Sequence, residues 1–520
     1  MNRPRRYHAA RWDEPIVMEL SRPGERGYFP PPVEEELAAE VGDVLADIPR
    51  DLRRAVPPAL PELAQPTVLR HYLRLSQMTL GAHLTPDASL GTCSMKYSPL
   101  VNEQLARMPQ MSELHPLQDD ATAQGIIEIV YRFERILCEI SGLYAFTFQP
   151  GGGSQGIFAN ACIMRAYHAA RGERDRRTEI ITTAFSHPAD AAAPAVAGFR
   201  VITLMPGPRG YPELDALKAA VSERTAGLML ANPEDTGIFN PDIAEFTRVV
   251  HAAGGLCAYD QANANGIVGI TRAREAGFDL CQFNLHKTFS TPHGSVGPAC
   301  GAAGCTAELA RFLPAPVAAF DGRRYYWDDD RPDSIGKVRS FLGNIQVVLR
   351  AYAWALAHGP EGLKAAAETS VLNNNYLAKK LADVPGVEIA YKGHGRRVEQ
   401  VRYSWRPLLE ETGVGTEDVR RRMVDFGLQG YFTSHHPMLV PEPFTLEPTE
   451  TYSKDDLDEY AAVFHEIARE AHADPDQVRA APHRAPIHRI EEGAIDEPAR
   501  WAMTWRALRR KQRDAVPAAD

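Results

Sequence analysis

Lys287 stands in "FNLHKTFSTPHG" (283–294), where an apolar run meets a dense set of hydroxyls, imidazoles and one amine. The run "DLCQF" (279–283) just before it reads as the buried end of a strand. An ammonium at such a place is costly to desolvate, and burial favours the neutral amine that attacks a carbonyl carbon. A lysine there suits a Schiff-base nucleophile. Three further features could serve the same chemistry. "QPGGGSQG" (149–156) is a glycine-rich turn between a strand and a helix that begins near Ser154. Gly151, Gly152 and Gly153 let the backbone approach an anion, and the helix start offers free N–H groups. Asp260 ends the strand "LCAYD" (256–260), where a carboxylate can keep a pyridine nitrogen protonated. His187, in "AFSHPADAAA", follows the strand "EIIT" and can stack on a flat ring.

Each feature has a plainer reading when taken singly. Glycine clusters are commonly tight turns, an aspartate after a strand commonly caps a helix, and a lone histidine is commonly structural. The turn is neither GxGxxG nor a Walker loop, so it suits one phosphate rather than a nucleotide. Together the four features describe pyridoxal 5'-phosphate held by Lys287, with His286, Thr288, Ser290, Thr291 and His293 as further donors to its phosphate.

The elements that must position these groups are legible as apolar runs alternating with helical stretches. "YAFTF" (144–148), "EIIT" (179–182), "RVITL" (200–204), "GLMLA" (227–231), "LCAYD" (256–260) and "DLCQF" (279–283) predict a mostly parallel sheet covered by helices. Ligands of such α/β sheets gather outside the carboxyl ends of the strands, so Asp260 and Lys287 can reach one small molecule. In "NPDIAEFTRVVHAAGG" a helix is predicted with Asn240 as cap, Pro241 in the first turn and Gly254 at its end. Its apolar face is Ile243, Phe246, Val249 and Val250.

Four segments are expected: an N-terminal arm (1–75) rich in proline and charge, a large cofactor-binding domain (76–345), a small C-terminal domain (346–475) and a tail (476–520). The arm suggests a strap over another surface. The basic amphipathic "RWAMTWRALRRKQRD" at the end reads as a solvated helix.

Composition excludes several classes. Lys and Arg total 57 against 67 Asp and Glu, a net charge of −10 with no long single-sign block, so no nucleic-acid partner is expected. Seven scattered cysteines without a CxxC pair read as reduced thiols. The basic N-terminus lacks an apolar core, and no run of about 18 uncharged apolar residues follows. The expectation is a cytoplasmic protein without membrane contact. No metal site is expected, because His286 with His293, and His435 with His436, lack carboxylate or cysteine companions.

At these residues the chain resembles the pyridoxal-phosphate subunit of glycine decarboxylase, the P-protein of the glycine cleavage system, in its second-subunit form. "LGTCSMKYSP" (90–99), "NLHKTFSTPHG" (284–294), "SIGKVRSFLGN" (334–344), "VLNNNYL" (371–377), "LEPTETYSK" (446–454) and "APHRAPIHRI" (481–490) carry the likeness, which spans nearly the whole chain. The resemblance implies an α/β, fold-type I, aminotransferase-like architecture. It makes Lys287 the cofactor-binding lysine, puts Asp260 at the pyridine nitrogen and makes His187 the stacking residue. Gly153, Ser154, Gln155, Ala262 and His286 are assigned to the cofactor, and Cys93, Lys96, Asn232 and His293 to the substrate. It also implies an assembly with a first subunit, or a homodimer, and a lipoyl carrier protein as acceptor.

Three stretches depart from the family pattern. "HPADAAA" (187–193) stands for HGTNPAS, "SVGPACGAAG" (295–304) for a glycine run, and "HLTPDAS" (83–89) for the shorter DTGFYP. These leave two readings open: glycine decarboxylation, or a specialised biosynthetic reaction on a larger amino acid. In the second, S-adenosylmethionine would undergo γ-elimination and join an electrophile such as a pyridinium. A catalytically silent assembly subunit is disfavoured by the intact Lys287, Asp260 and glycine turn.

Overall fold

The six apolar runs become six parallel strands, five of them buried on both faces, as continuous apolar sequence requires, and β3 partly exposed at the sheet edge. They are β1 (Ala145–Thr147), β2 (Glu179–Thr183), β3 (Arg200–Leu204), β4 (Thr225–Ala231), β5 (Leu256–Gln261) and β6 (Leu280–Asn284). A seventh, β7 (Gly301–Cys305), was not expected from sequence and runs antiparallel between β1 and β6. The sheet order is β1-β7-β6-β5-β4-β2-β3. The computed structural model describes residues 4–5, 7–81, 84–86, 88, 96–293, 297–486, 488–489 and 504–514.

β7 escaped the sequence reading because "GAAGC" has weak strand propensity and lies in a stretch that departs from the family pattern. Its glycines answer to close packing: a Cβ on Gly304 would strike the Phe146 ring of β1, and one on Gly301 would lie 2.7 Å from the Gly152 carbonyl. The strand is fully buried and accepts both neighbours along its length.

Helices cover the sheet through apolar stripes. The helix Ile243–Ala252 buries Ile243, Phe246 and Val250, as the pattern predicts, while Val249 is half-buried. Asp242, not Asn240, is the residue before it. The Asn240 side chain instead accepts from the Asp242 N–H at 2.9 Å. Gly254 takes the left-handed conformation (φ +83°) that ends the helix. The long helical segment Ile345–Leu381 is two helices broken at Gly359 (φ 62°) before Pro360. Its second half packs into a separate core with β10 (Glu388–Ile389), β11 (Val401–Ser404) and β12 (Pro443–Leu446), an antiparallel sheet; β8 (Val317–Phe320) and β9 (Tyr325–Asp328) form a hairpin. Tyr403, Trp405, Tyr431, Phe444 and Phe464 fill that second core with stacked rings.

The chain divides into two compact units, residues 1–6 with 81–480, and 7–80 with 481–520. The N-terminal arm and the tail thus belong together. In their unit the helix Gln65–Gln77 buries His71, whose Nδ1 meets Glu14 Oε1 at 2.8 Å, and Arg74 meets the same carboxylate at 3.0 Å. The helix Trp505–Asp514 buries Ala507 and Leu508 and exposes Arg509 and Lys511. Among the described residues no helix is long and apolar enough to cross a membrane.

Candidate active site

The carboxyl ends of β5 and β6 deliver Asp260 and Lys287 to one place. Asp260 is buried, and its Oδ1 accepts from the Ala262 N–H at 2.8 Å and from the Gln282 amide. Two donors on one oxygen fix the orientation of the carboxylate. Lys287 is buried directly after β6, in a segment where Thr288 Oγ1 accepts from the Ala264 N–H at 2.9 Å. That bond ties the lysine loop to the "QANAN" loop after Asp260.

His187 comes from the turn after β2 and is half-buried, edge-on to His435 with ring centroids 5.5 Å apart. Burial lowers its pKa most, and the Lys287 charge lowers it further, while Asp260 and Asp235 oppose both. The imidazole is therefore neutral, and both Lys287 and Asp260 lie within electrostatic reach of it. Asp190, in the first turn of the helix Ala189–Val196, is buried, and burial foremost, then the Asp260 charge, pushes its carboxyl well above the ordinary range.

The glycine turn closes the site from β1. Helix Gly153–Ala170 starts without a side-chain cap, so its first N–H groups are available to an anion. Gly151 donates to Gln155 Oε1 at 2.7 Å, and Gln155 Nε2 donates to the Val338 carbonyl at 2.5 Å. Ser154 is exposed in the first turn. A Cβ on Gly151 would collide with the Arg339 guanidinium, and one on Gly153 would come 2.9 Å from the Asn284 amide. Arg339 thus brings a positive charge against the helix start, a contribution the sequence reading missed although "KVRSF" lay in a quoted motif.

His286 is buried beside His293, centroids 4.4 Å apart. Burial first, then the charges of Lys287 and His293, push its pKa down to about 3. Its Nδ1 has no hydrogen-bond partner among the described residues. His293 Nδ1 meets the Gly297 carbonyl at 3.0 Å.

The other substrate candidates are placed differently. The Lys96 ammonium is taken up by Glu450 Oε1 at 2.8 Å and lies 4.6 Å from the Trp354 ring centroid. Asn232 braces its own loop, accepting from the Asn240 N–H at 2.8 Å and donating to the Asn240 carbonyl at 3.2 Å. Cys93 lies outside the described residues, as do parts of 83–89 and 295–304.

Sequence reasoning missed a ring of buried charge from distant elements. Arg402 on β11 pairs with Asp235 at 3.1 Å and donates to the His435 carbonyl at 2.9 Å. Glu447 Oε1 accepts from Asn263 at 2.7 Å and Asn265 at 2.8 Å, so the loop after Asp260 is held by the end of β12. Glu399 is buried near Glu447, and burial foremost pushes its pKa well up. At the opposite end of β5, His251, Cys257 and Asp279 converge. The Asp279 carboxylate already accepts from His251 at 2.7 Å, the Cys257 N–H at 2.9 Å and Arg274 at 3.2 Å. That network is a structural staple.

The chemistry of this donor set fits pyridoxal 5'-phosphate. A fixed carboxylate suits a ring nitrogen, a neutral imidazole suits a ring face, an uncapped helix start with an arginine suits a phosphate, and a buried lysine suits a carbonyl carbon.

Comparison with known proteins agrees with this arrangement. Residues 366–486 match the family described as "Glycine dehydrogenase, C-terminal domain". A solved glycine decarboxylase (P-protein) of the glycine cleavage system, in inhibitor-bound form, superposes with a TM-score of 0.70 at 21% identity, covering 84% of this chain and 100% of that one. That likeness establishes the fold. The "Probable glycine dehydrogenase (decarboxylating) subunit 2" of Thermococcus kodakarensis is 43% identical, over 97% of this chain and 98% of that protein. The protein of the same name from Pyrococcus abyssi is 44% identical over 489 residues, 94% of this chain and 95% of its own length. With identity of that order along almost its whole length, the chain belongs to the glycine dehydrogenase (decarboxylating) subunit 2 family.

Proposed function

We infer that the chain is the cofactor-bearing subunit of a glycine decarboxylase assembly. The observation that carries this reading is the convergence of Lys287, Asp260 and His187 at the carboxyl ends of the sheet in a chain of this family. Lys287 would anchor the cofactor's carbonyl carbon, Asp260 would face its ring nitrogen, His187 would cover a ring face, and the helix start with Arg339 would take its phosphate. When bound, pyridoxal 5'-phosphate supplies a ring that accepts the electron pair left on the glycine Cα as CO2 departs.

The chain's own groups do the rest. The Asp260 carboxylate, oriented by Ala262 and Gln282, would face a ring nitrogen placed before it and would favour a proton there. His187 is neutral and therefore places no positive charge beside a cationic ring. His286, Lys287 and Thr288 are buried, so a substrate carboxylate brought there sheds its hydration. Loss of hydration favours release of neutral CO2. The remaining aminomethyl group would pass to the lipoyl arm of a carrier protein, its disulfide opening to bond the carbon through one sulfur and leave the other as a thiol, and a first subunit would complete the assembly.

A larger amino acid such as S-adenosylmethionine is less favoured. Near-full-length likeness to glycine enzymes speaks for glycine. The last four residues of the 295–304 departure also belong to β7, a buried strand of the sheet. The test is exchange of labelled bicarbonate into the glycine carboxyl group, with a first subunit and a lipoyl carrier added. Robust exchange is expected. Absence of exchange, together with spectral changes on adding S-adenosylmethionine, would overturn the reading.

A further inference from the structure

The imidazole read above as covering the cofactor ring has a second imidazole against it. His435, half-buried, meets His187 edge-on, with ring centroids 5.5 Å apart and ring planes at 88°. A T-shaped contact sets the positive edge of one ring against the electron-rich face of the other, so it fixes ring planes as well as distance. His187 is also held along its own turn: its Nδ1 accepts from the Ala189 N–H at 3.1 Å, which leaves the proton of the neutral ring on Nε2. Burial foremost lowers the pKa of both imidazoles, so near neutral pH the two rings meet without charge repulsion.

We propose that His435 is a positioning residue, which fixes the plane of the His187 ring from a strained loop that the buried Arg402 pins in place.

Ser434 and His436, on either side of His435, take left-handed backbone angles (φ 59° and 61°), which residues with a side chain adopt only where their surroundings impose them. Arg402 supplies much of that constraint. Its side chain is wholly buried, donates to the His435 carbonyl at 2.9 Å and pairs with Asp235 at 3.1 Å. Ser434 Oγ meets Thr445 Oγ1 of β12 at 2.5 Å, and Phe432 stands edge-on to His435 with centroids 5.0 Å apart. The same guanidinium reaches His187 by a second route. Asp235, in the loop after β4, donates its N–H to the Phe185 carbonyl at 3.1 Å. Phe185 stands two residues before His187, and its ring centroid lies 5.3 Å from the guanidinium carbon of Arg402. Both imidazoles are thus referred to one buried cation, His435 through its own carbonyl and His187 through its turn. A loop that merely reversed the chain would need neither the strained angles nor a buried ion pair behind them.

The effect of this contact on the cofactor rests on the reading above, whereas the contact itself does not. His435→Ala removes the ring, and His435→Phe keeps an aromatic edge in its place. In the full chain without cofactor, the His187 Cε1 resonance, assigned by its loss in His187→Gln, is expected to move in His435→Ala as the neighbouring ring is removed. An unmoved resonance would overturn the contact. With pyridoxal 5'-phosphate added, His435→Ala is expected to bind about three- to tenfold more weakly than the parent, the worth of one edge-on ring contact. Its visible circular dichroism, which reports the orientation of the bound ring, is expected to change. His435→Phe is expected to restore binding to within about twofold of the parent, because a ring edge is all that the role requires. Parent-like binding and dichroism in His435→Ala, or no rescue by His435→Phe, would overturn the positioning role. Failure of the parent itself to bind would overturn the cofactor reading instead, and the resonance would still decide the contact.

Discussion

Glu234 offers a quantitative test of the buried charge beside the site. It is 4% exposed, in the loop after β4 and two residues beyond Asn232, and its carboxyl is pushed up from an ordinary 4.5 to about 8. Burial is the largest cause. The Thr183 hydroxyl and the Arg402 guanidinium pull the other way, and Asp235 adds to the push. The folded chain therefore keeps a proton that the unfolded chain gives up. Below about pH 4.5 both states hold it and Glu234 costs nothing. As pH rises from about 4.5 to about 8, the unfolded state alone ionises, and stability falls by about 1.36 kcal/mol per unit. The accumulated loss is on the order of 3 kcal/mol near neutrality and 5 kcal/mol above about pH 8. Glu234→Gln keeps the shape of the protonated acid and removes the titration. Urea denaturation of both proteins across this range should give midpoints that coincide at the acid end and separate progressively as pH rises, the variant being the more stable. A difference that does not change with pH, or a variant less stable at the alkaline end, would refute the reasoning.

Lys287→Ala should lose covalent attachment of the cofactor, read by mass spectrometry after borohydride reduction, while its circular dichroism stays that of the parent, because little core packing is removed. Asp260→Asn should retain the cofactor yet slow carboxyl exchange with glycine by roughly 100-fold or more, since an amide cannot hold a facing nitrogen protonated; a parent-like rate would make Asp260 a structural cap. Gly304→Ala should destabilise the chain by roughly 1–3 kcal/mol, because its Cβ would strike the Phe146 ring. An unchanged melting temperature would show that the sheet relaxes around it.

What the sequence disclosed and what it withheld follow from the range of the forces involved. Strand runs such as "LCAYD" and the helix face Ile243, Phe246 and Val250 are local patterns, and they appear in the fold where the pattern puts them. Lys287, Asp260 and His187 were legible because strand ends in a parallel sheet share one edge. Arg339, Glu399, Glu447 and Arg402 were not, because they reach the site from segments far along the chain and carry no local signature. Lys96 looked available for substrate because it sits in the "TCSMKY" motif, yet Glu450, more than 350 residues later, holds it. β7 was hidden by composition: its glycines and alanines are chosen for thinness, a property that strand propensity does not score.

The antiparallel strand also orders events in time. β1 has β7 as its strand partner, and Gly301 donates to the Pro150 carbonyl at 2.8 Å, so the glycine turn is latched by a strand that begins about 150 residues later. During synthesis β2 to β6 can pair as they emerge, but β1, held only by its preceding helix, must wait for its strand partner until residue 305 has left the ribosome. The glycine turn is therefore among the last parts of the sheet edge to be fixed, and a nascent chain shorter than this holds Lys287 and Asp260 without the strand that latches the turn beside them.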